Sequence, residues 1–131
     1  MNIASLFAGL NRAAPGETGT VAWAVTVAGT SPGAAVLDAG CGTGADLAEF
    51  NRAIPGAGIE AVELAEEFIA EVRRKHPEVT TLVADMTDPP GGQFDLIRSA
   101  GSIYRVGVSG GLAAWRGLLA AGGRVAWAAC D

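Results

Sequence analysis

Residues 36–50 read VLDAGCGTGADLAEF, and this stretch decides the fold. The apolar run Ala34-Ala35-Val36-Leu37 leads into an acid, Asp38, and glycines follow at positions 40, 42 and 44. A short apolar run closed by glycines reads as a buried strand ending in a tight turn, with a helix opening behind it. Loops of this build let a backbone approach a nucleotide closely, so Asp38, Gly40, Cys41, Gly42 and Gly44 are the first candidate ligand-binding residues.

On either side of that loop the pattern alternates. Strands are predicted over 34–39, 58–63, 79–84, 94–99 and 123–129, with helices over 43–53, 65–76 and 109–120. Pro55-Gly56, Pro77, Pro89-Pro90-Gly91-Gly92 and Gly122-Gly123 all fall between these elements. Alternation of this kind predicts an α/β fold: a doubly wound parallel sheet of about five strands with helices on both faces. Residues 1–12 have the spacing of an amphipathic helix, with Ile3, Leu6, Phe7 and Leu10 on one face, and Pro15-Gly16 breaks it. A second helix, capped by Thr18 or Thr20, carries Val21, Trp23, Val25 and Val27 and ends at Gly29. The chain of 131 residues is then a single domain, with 1–30 as an N-terminal helical cover on a core from 31 to 131.

Composition narrows the classes of partner. Nine basic against 14 acidic side chains give a net charge of -5, and no basic stripe is interleaved with aromatics, which argues against nucleic acid. The one basic run, Arg73-Arg74-Lys75, falls near a predicted helix end, where cations suit the helix dipole. Cys41 and Cys130 have no metal-ligand spacing and His76 precedes a proline, so no protein-built metal site is expected. The apolar stretch VAWAVTVAG is too short to span a bilayer, and the N-terminus lacks the basic start and long apolar run of a signal peptide. A cytoplasmic protein with reduced thiols is the expectation.

In a parallel sheet, ligands sit beyond the carboxyl ends of the strands, where the strand order reverses. That directs attention to Asp38–Gly44, Glu63-Leu64, Asp85-Met86 and Ser99–Tyr104. Gly40-Cys41-Gly42-Thr43-Gly44-Ala45 fits a relaxed dinucleotide pattern, with Glu63 downstream to grip ribose hydroxyls, so a nicotinamide-dependent oxidoreductase is one reading. A pyrophosphate next to the Asp38 carboxylate is electrostatically unfavourable. S-adenosylmethionine carries a sulfonium and an ammonium group instead of phosphate, and an acid at Asp38 suits that cationic end.

The motifs also resemble a known family. VLDAGCGTGADLAEF resembles the first motif, D/E-x-G-x-G-x-G, of class I S-adenosylmethionine-dependent methyltransferases. GIEAVEL, TLVADMTD and FDLIRSAGSIYRVG resemble the second, third and fourth strand motifs in order, and LLAAGGRVAWA the helix, Gly-Gly turn and fifth strand. PGETGT at 15–20 is similar to the family's segment that covers the cofactor. The resemblance implies a Rossmann-like fold and roles for individual residues. Glu63 would accept both ribose hydroxyls, Asp85 the adenine amino group, Leu64 and Met86 would sandwich the purine, and Ser99 would lie near the sulfonium.

It further implies methyl transfer to a small-molecule acceptor, with S-adenosylhomocysteine as product. Such a displacement at an activated carbon needs alignment and no fixed catalytic residue, so none is assigned, and Tyr104 is expected as a wall beside the substrate. SAGSIYRVG resembles the S-E-G-x-x-Y-x-x-G of some small-molecule methyltransferases, with Ala100 in place of the acid and Arg98 where an aromatic is common. The family's final two strands have no counterpart before Asp131. Three readings are then open: a truncated gene, an apolar fifth-strand edge that pairs with a second copy as a homodimer, or a non-catalytic cofactor-binding module.

Overall fold

The computed structural model describes residues 20–89, 92–100 and 107–128. Its elements are α1 (Thr20–Ala28), β1 (Ala35–Ala39), α2 (Leu47–Ala53), β2 (Gly58–Glu63) and α3 (Glu66–Lys75), followed by β3 (Thr80–Val83), β4 (Phe94–Ala100), α4 (Val108–Arg116) and β5 (Leu119–Ala128). The five strands form one sheet in the order β3-β2-β1-β4-β5, and every neighbouring pair is parallel. Parallel neighbours need crossover connections, and in this chain helices supply most of them. The order reverses at β1, because the chain goes first to β2 and β3 and later to β4 and β5 on the other side.

Two apolar layers sandwich the sheet. On one face Val36, Ile59 and Leu96 pack with Val21 and Val25 of α1, Leu47 and Phe50 of α2 and Val72 of α3. On the other, Leu37, Ala39, Val62 and Ile97 pack with Trp115 of α4 and Met86 from the loop after β3. Central strands buried on both sides read as continuous apolar runs, which is why β1 and β4 were visible as such in the sequence.

The structure corrects the sequence expectations in two places, the start of α2 and the boundary between α4 and β5, and it defines the buried face of α1. The helix expected over 43–53 begins at Leu47, because the glycines keep the chain in turns through Asp46. On α1 the buried positions are Val21, Ala24 and Val25, the three-and-four spacing of one helix face, while Trp23 and Val27 point outward. The helix expected over 109–120 ends at Arg116, and the strand expected from 123 begins at Leu119.

That last difference has a local cause. Phe94 pairs with Leu119 but Leu96 with Arg124, so β5 carries extra residues in an irregularity against β4. Gly122 and Gly123 sit inside it. A Cβ on Gly123 would lie 2.7 Å from the Phe94 carbonyl oxygen, so this close approach excludes a side chain.

The basic run closes α3. Arg74 and Lys75 pair with Glu71 at 2.8 and 3.2 Å, and Arg73 Nε donates to Thr81 Oγ1 at 2.8 Å. Glu66 and Glu67 occupy the first turn of the same helix, so both ends complement its dipole. No helix among the described residues is long and apolar enough to cross a membrane. The expected helix over 1–12 and the segment 15–19 lie outside the described residues.

Candidate functional site

The candidate site is the carboxyl edge of β1, β2, β3 and β4. Asp38 closes β1 almost fully buried, paired in register with Ala61 on one side and Arg98 on the other. Beyond it the chain turns through Gly40, Gly42 and Gly44, all at positive φ. The amides of Gly40 and Cys41 donate to the Val62 carbonyl at 2.8 and 3.0 Å, and Gly44 N–H donates to the Cys41 carbonyl at 3.1 Å. Gly44 is also a point of close approach: a Cβ there would lie 2.9 Å from Leu47 Cδ1 and 3.1 Å from Val72 Cγ2.

Glu63 ties this loop to β2. One carboxylate oxygen accepts from Gly42 N–H at 3.1 Å and the other from Ala65 N–H at 2.9 Å. A carboxylate has about four acceptor positions, so two such bonds leave capacity for a vicinal diol. Cys41 lies against both acids. Burial, and then the charges of Asp38 and Glu63, push its thiol far above the usual thiol range, so it stays protonated and unreactive.

At the next strand end, Asp85 Oδ1 accepts from Thr87 N–H at 2.8 Å and Thr87 Oγ1 at 2.6 Å, and these bonds hold its carboxyl below the usual range. The Asp85 side chain is thereby oriented while remaining exposed. Leu64, after β2, is 62% exposed, whereas Met86 is buried and packs into the core with Trp115 of α4. Trp115 Nε1–H donates to the Met86 carbonyl at 2.7 Å, so α4 fixes the backbone of this loop. Ser99 is fully buried near the end of β4, and its hydroxyl has no hydrogen-bond partner among the described residues. Tyr104 lies outside the described residues.

A group of charges below the glycine loop was not singled out in the sequence. Arg98 donates to the Asp46 carboxylate, both side chains being buried. Glu49, one turn further along α2, accepts the Ala22 amide of α1 at 3.1 Å. A lone arginine in the apolar run FDLIRSA needs a carboxylate from another element, and Asp46 and Glu49 three apart on one helix face were the available signal. A groove of about 430 Å³ opens on this side between α1 and β5, with Trp23, Val27, Arg124 and Trp127 in its wall. Arg98 also reaches this wall, whereas Glu63 and Asp85 do not.

A five-stranded parallel sheet reversing at β1, with acids at the ends of β1 and β2 and a glycine loop following the first, defines a Rossmann-like fold of the class I methyltransferase kind. The chain belongs to the methyltransferase domain family, whose model matches residues 36–123. Over 76 residues it is 37% identical to the magnesium-protoporphyrin O-methyltransferase of Rhodobacter capsulatus, an alignment spanning 54% of this chain and 33% of that protein. Among solved structures it is similar to the sugar N-methyltransferase KedS8 from Streptoalloteichus, at 31% identity and a TM-score of 0.71 over 86% of this chain and 48% of that one. It is also similar to CalS10, an amino pentose methyltransferase from Micromonospora echinaspora solved with S-adenosylmethionine bound, at 31% identity and a TM-score of 0.64 over 76% of this chain and 44% of that one. The chain thus spans about a third of the curated relative and about half of these structural relatives.

Proposed function

We propose that this domain binds S-adenosylmethionine across the carboxyl edge of β1, β2 and β3 and places it for methyl transfer to a small-molecule acceptor, releasing S-adenosylhomocysteine. The observation that carries the reading is the joint between Glu63 and Gly42, which sets a diol-accepting carboxylate and a close-approach glycine loop side by side. The donor set suits the cofactor. Asp38 supplies negative charge for a cationic end, Glu63 has spare acceptor capacity for the ribose, and the oriented Asp85 carboxylate suits an amino group. The exposed Leu64 offers an apolar surface to one face of the purine, and Met86 shapes the other side from within the core.

When bound, the cofactor supplies a methyl group on positively charged sulfur. The protein's part is to orient it, with Ser99 at the end of β4 placing a hydroxyl near the reacting end and Tyr104 as a wall for the acceptor. A phosphate-bearing nicotinamide cofactor is disfavoured by the same buried Asp38, and the relatives named above are methyltransferases. The reading is tested by calorimetric titration with S-adenosylmethionine, followed by an acceptor screen that detects S-adenosylhomocysteine. Binding without turnover against every acceptor favours the non-catalytic module instead.

The proposal extends to assembly. Among the described residues β5 is an edge strand, and its unpaired edge is what a second copy would cover by strand pairing. Sedimentation of the chain at high concentration tests this, and a strictly monomeric mass removes it.

A further inference from the structure

The residues that end the glycine loop are held by an arginine that no cofactor contact explains. Arg98 lies in β4, 2% exposed, and its guanidinium reaches Asp46, the residue between Gly44-Ala45 and the first turn of α2. An aspartate at the start of a helix ordinarily turns its carboxylate to its own helix's amides. Asp46 makes no such capping bond and reaches across to β4 instead. Asp38, its register partner on β1, and Glu49 of α2 also act on Arg98 and favour the charged guanidinium against the cost of burial, and Arg124 of β5 lines the same groove. The Phe50 ring lies 6.0 Å away. Besides the Val62 carbonyl at Gly40 and Cys41, two side chains therefore grip the loop, Glu63 from β2 at Gly42 and Arg98 from β4 at Asp46.

We propose that Arg98 is a positioning residue for the cofactor: by anchoring Asp46 to β4 it holds residues 40–46 in the geometry that receives the ligand. The cofactor part of this statement rests on the function proposed above. Arginine suits the task because its planar fork presents several donors in fixed directions, which a lysine ammonium does not reproduce.

The test uses the full chain in four forms: unaltered, Arg98→Lys, Arg98→Met, and Arg98→Met with Asp46→Leu. The double variant removes Asp46 together with Arg98, so Asp46 is not left as an unpaired buried carboxylate as it is in Arg98→Met, and the test stays valid if Arg98→Met alone unfolds. Backbone hydrogen exchange is read without ligand, followed by titration with S-adenosylmethionine. The amides of Gly40, Cys41, Gly42 and Gly44 all have partners, so each has protection to lose.

Exchange in the loop is expected to rise by about tenfold or more in the double variant while the β1 and β2 amides keep their protection. Affinity for S-adenosylmethionine is expected to fall by about tenfold, with Arg98→Lys in between. Unchanged loop exchange in a folded double variant overturns the proposal. So does a uniform rise across the whole sheet, which marks Arg98 as core only. If the unaltered chain does not bind the cofactor, the proposed function fails, and the exchange data still decide whether Arg98 anchors the loop.

Discussion

The Glu63 carboxylate accepts the Gly42 amide at 3.1 Å, which makes the end of β2 and the glycine loop a single unit. A change at either residue is felt at both. Glu63→Gln replaces an anionic acceptor with an amide that accepts through one arm only. Hydrogen bonds to a charged group contribute roughly 1.5–3 kcal/mol, so affinity for S-adenosylmethionine is expected to fall about ten- to hundredfold. Calorimetry of the variant at neutral pH reads this directly, and an unchanged affinity takes the ribose away from Glu63.

Two glycines of the same loop are expected to respond differently to alanine. Gly42 has φ +58 and open space around its absent Cβ, so Gly42→Ala costs backbone strain alone, about 1–2 kcal/mol. Gly44 has φ +85 and would press a methyl onto Leu47 and Val72, adding overpacking of about 1–3 kcal/mol. Urea denaturation should rank Gly44→Ala as the less stable variant. Equal stabilities would contradict the tight packing of the loop against α2 and α3.

Trp115→Phe keeps most of the buried ring but removes the donor to the Met86 carbonyl. An unsatisfied buried carbonyl costs about 1–3 kcal/mol, and the loop carrying Asp85 loses its anchor on α4. The thermal midpoint is expected to drop, with weaker cofactor binding in the variant that remains folded. A midpoint equal to that of the unaltered chain would show that water or a shifted backbone replaces the indole.

Cys41 sets an alkaline limit. Its thiol is raised by burial first and by Asp38 and Glu63 second, so the folded chain keeps a proton that the unfolded chain releases above about pH 8.5. The stabilisation is complete below that pH and declines as pH rises beyond it. Relative to Cys41→Ala, the unaltered chain should lose up to about 1.4 kcal/mol per pH unit on the alkaline side. Denaturation of both at neutral and alkaline pH gives the slope, and parallel curves would place Cys41 in an ordinary environment. Iodoacetamide at mildly alkaline pH should leave Cys41 unmodified in the native chain, as read by peptide mass mapping.

Much of the fold was legible because the local and global patterns agree. Ala34–Leu37 is an apolar run closed by Asp38, while Ile59, Ala61-Val62 and Leu96-Ile97 are short apolar stretches next to Glu63 and Arg98, and strands buried on both faces leave such a trace. The β5 boundary was not legible. LLAAGG is small and apolar in helix and strand alike, and what starts the strand at Leu119 is its pairing with Phe94, a tertiary contact. On α1 the apolar residues Trp23 and Val27 lie outside the buried face formed by positions 21, 24 and 25.

At the site, the sequence marked the carboxylates at strand ends because a topological rule says where ligands sit. It could not show that Glu63 bonds to Gly42, since 21 residues separate them. Nor could it show that Asp46 forgoes its own helix for Arg98, since that pairing spans 52 residues and depends on how α2 lies over β4. These long-range joints turn a set of motif residues into a shaped loop.

The most direct measurement is isothermal titration of the 131-residue chain with S-adenosylmethionine and, separately, with NADH, repeated on Asp38→Ala and Glu63→Ala. Saturable binding of S-adenosylmethionine but not NADH, weakened in both variants while each remains folded, is the predicted result. A folded chain that binds neither ligand, or binds S-adenosylmethionine with the same affinity in all three forms, would contradict the proposed site.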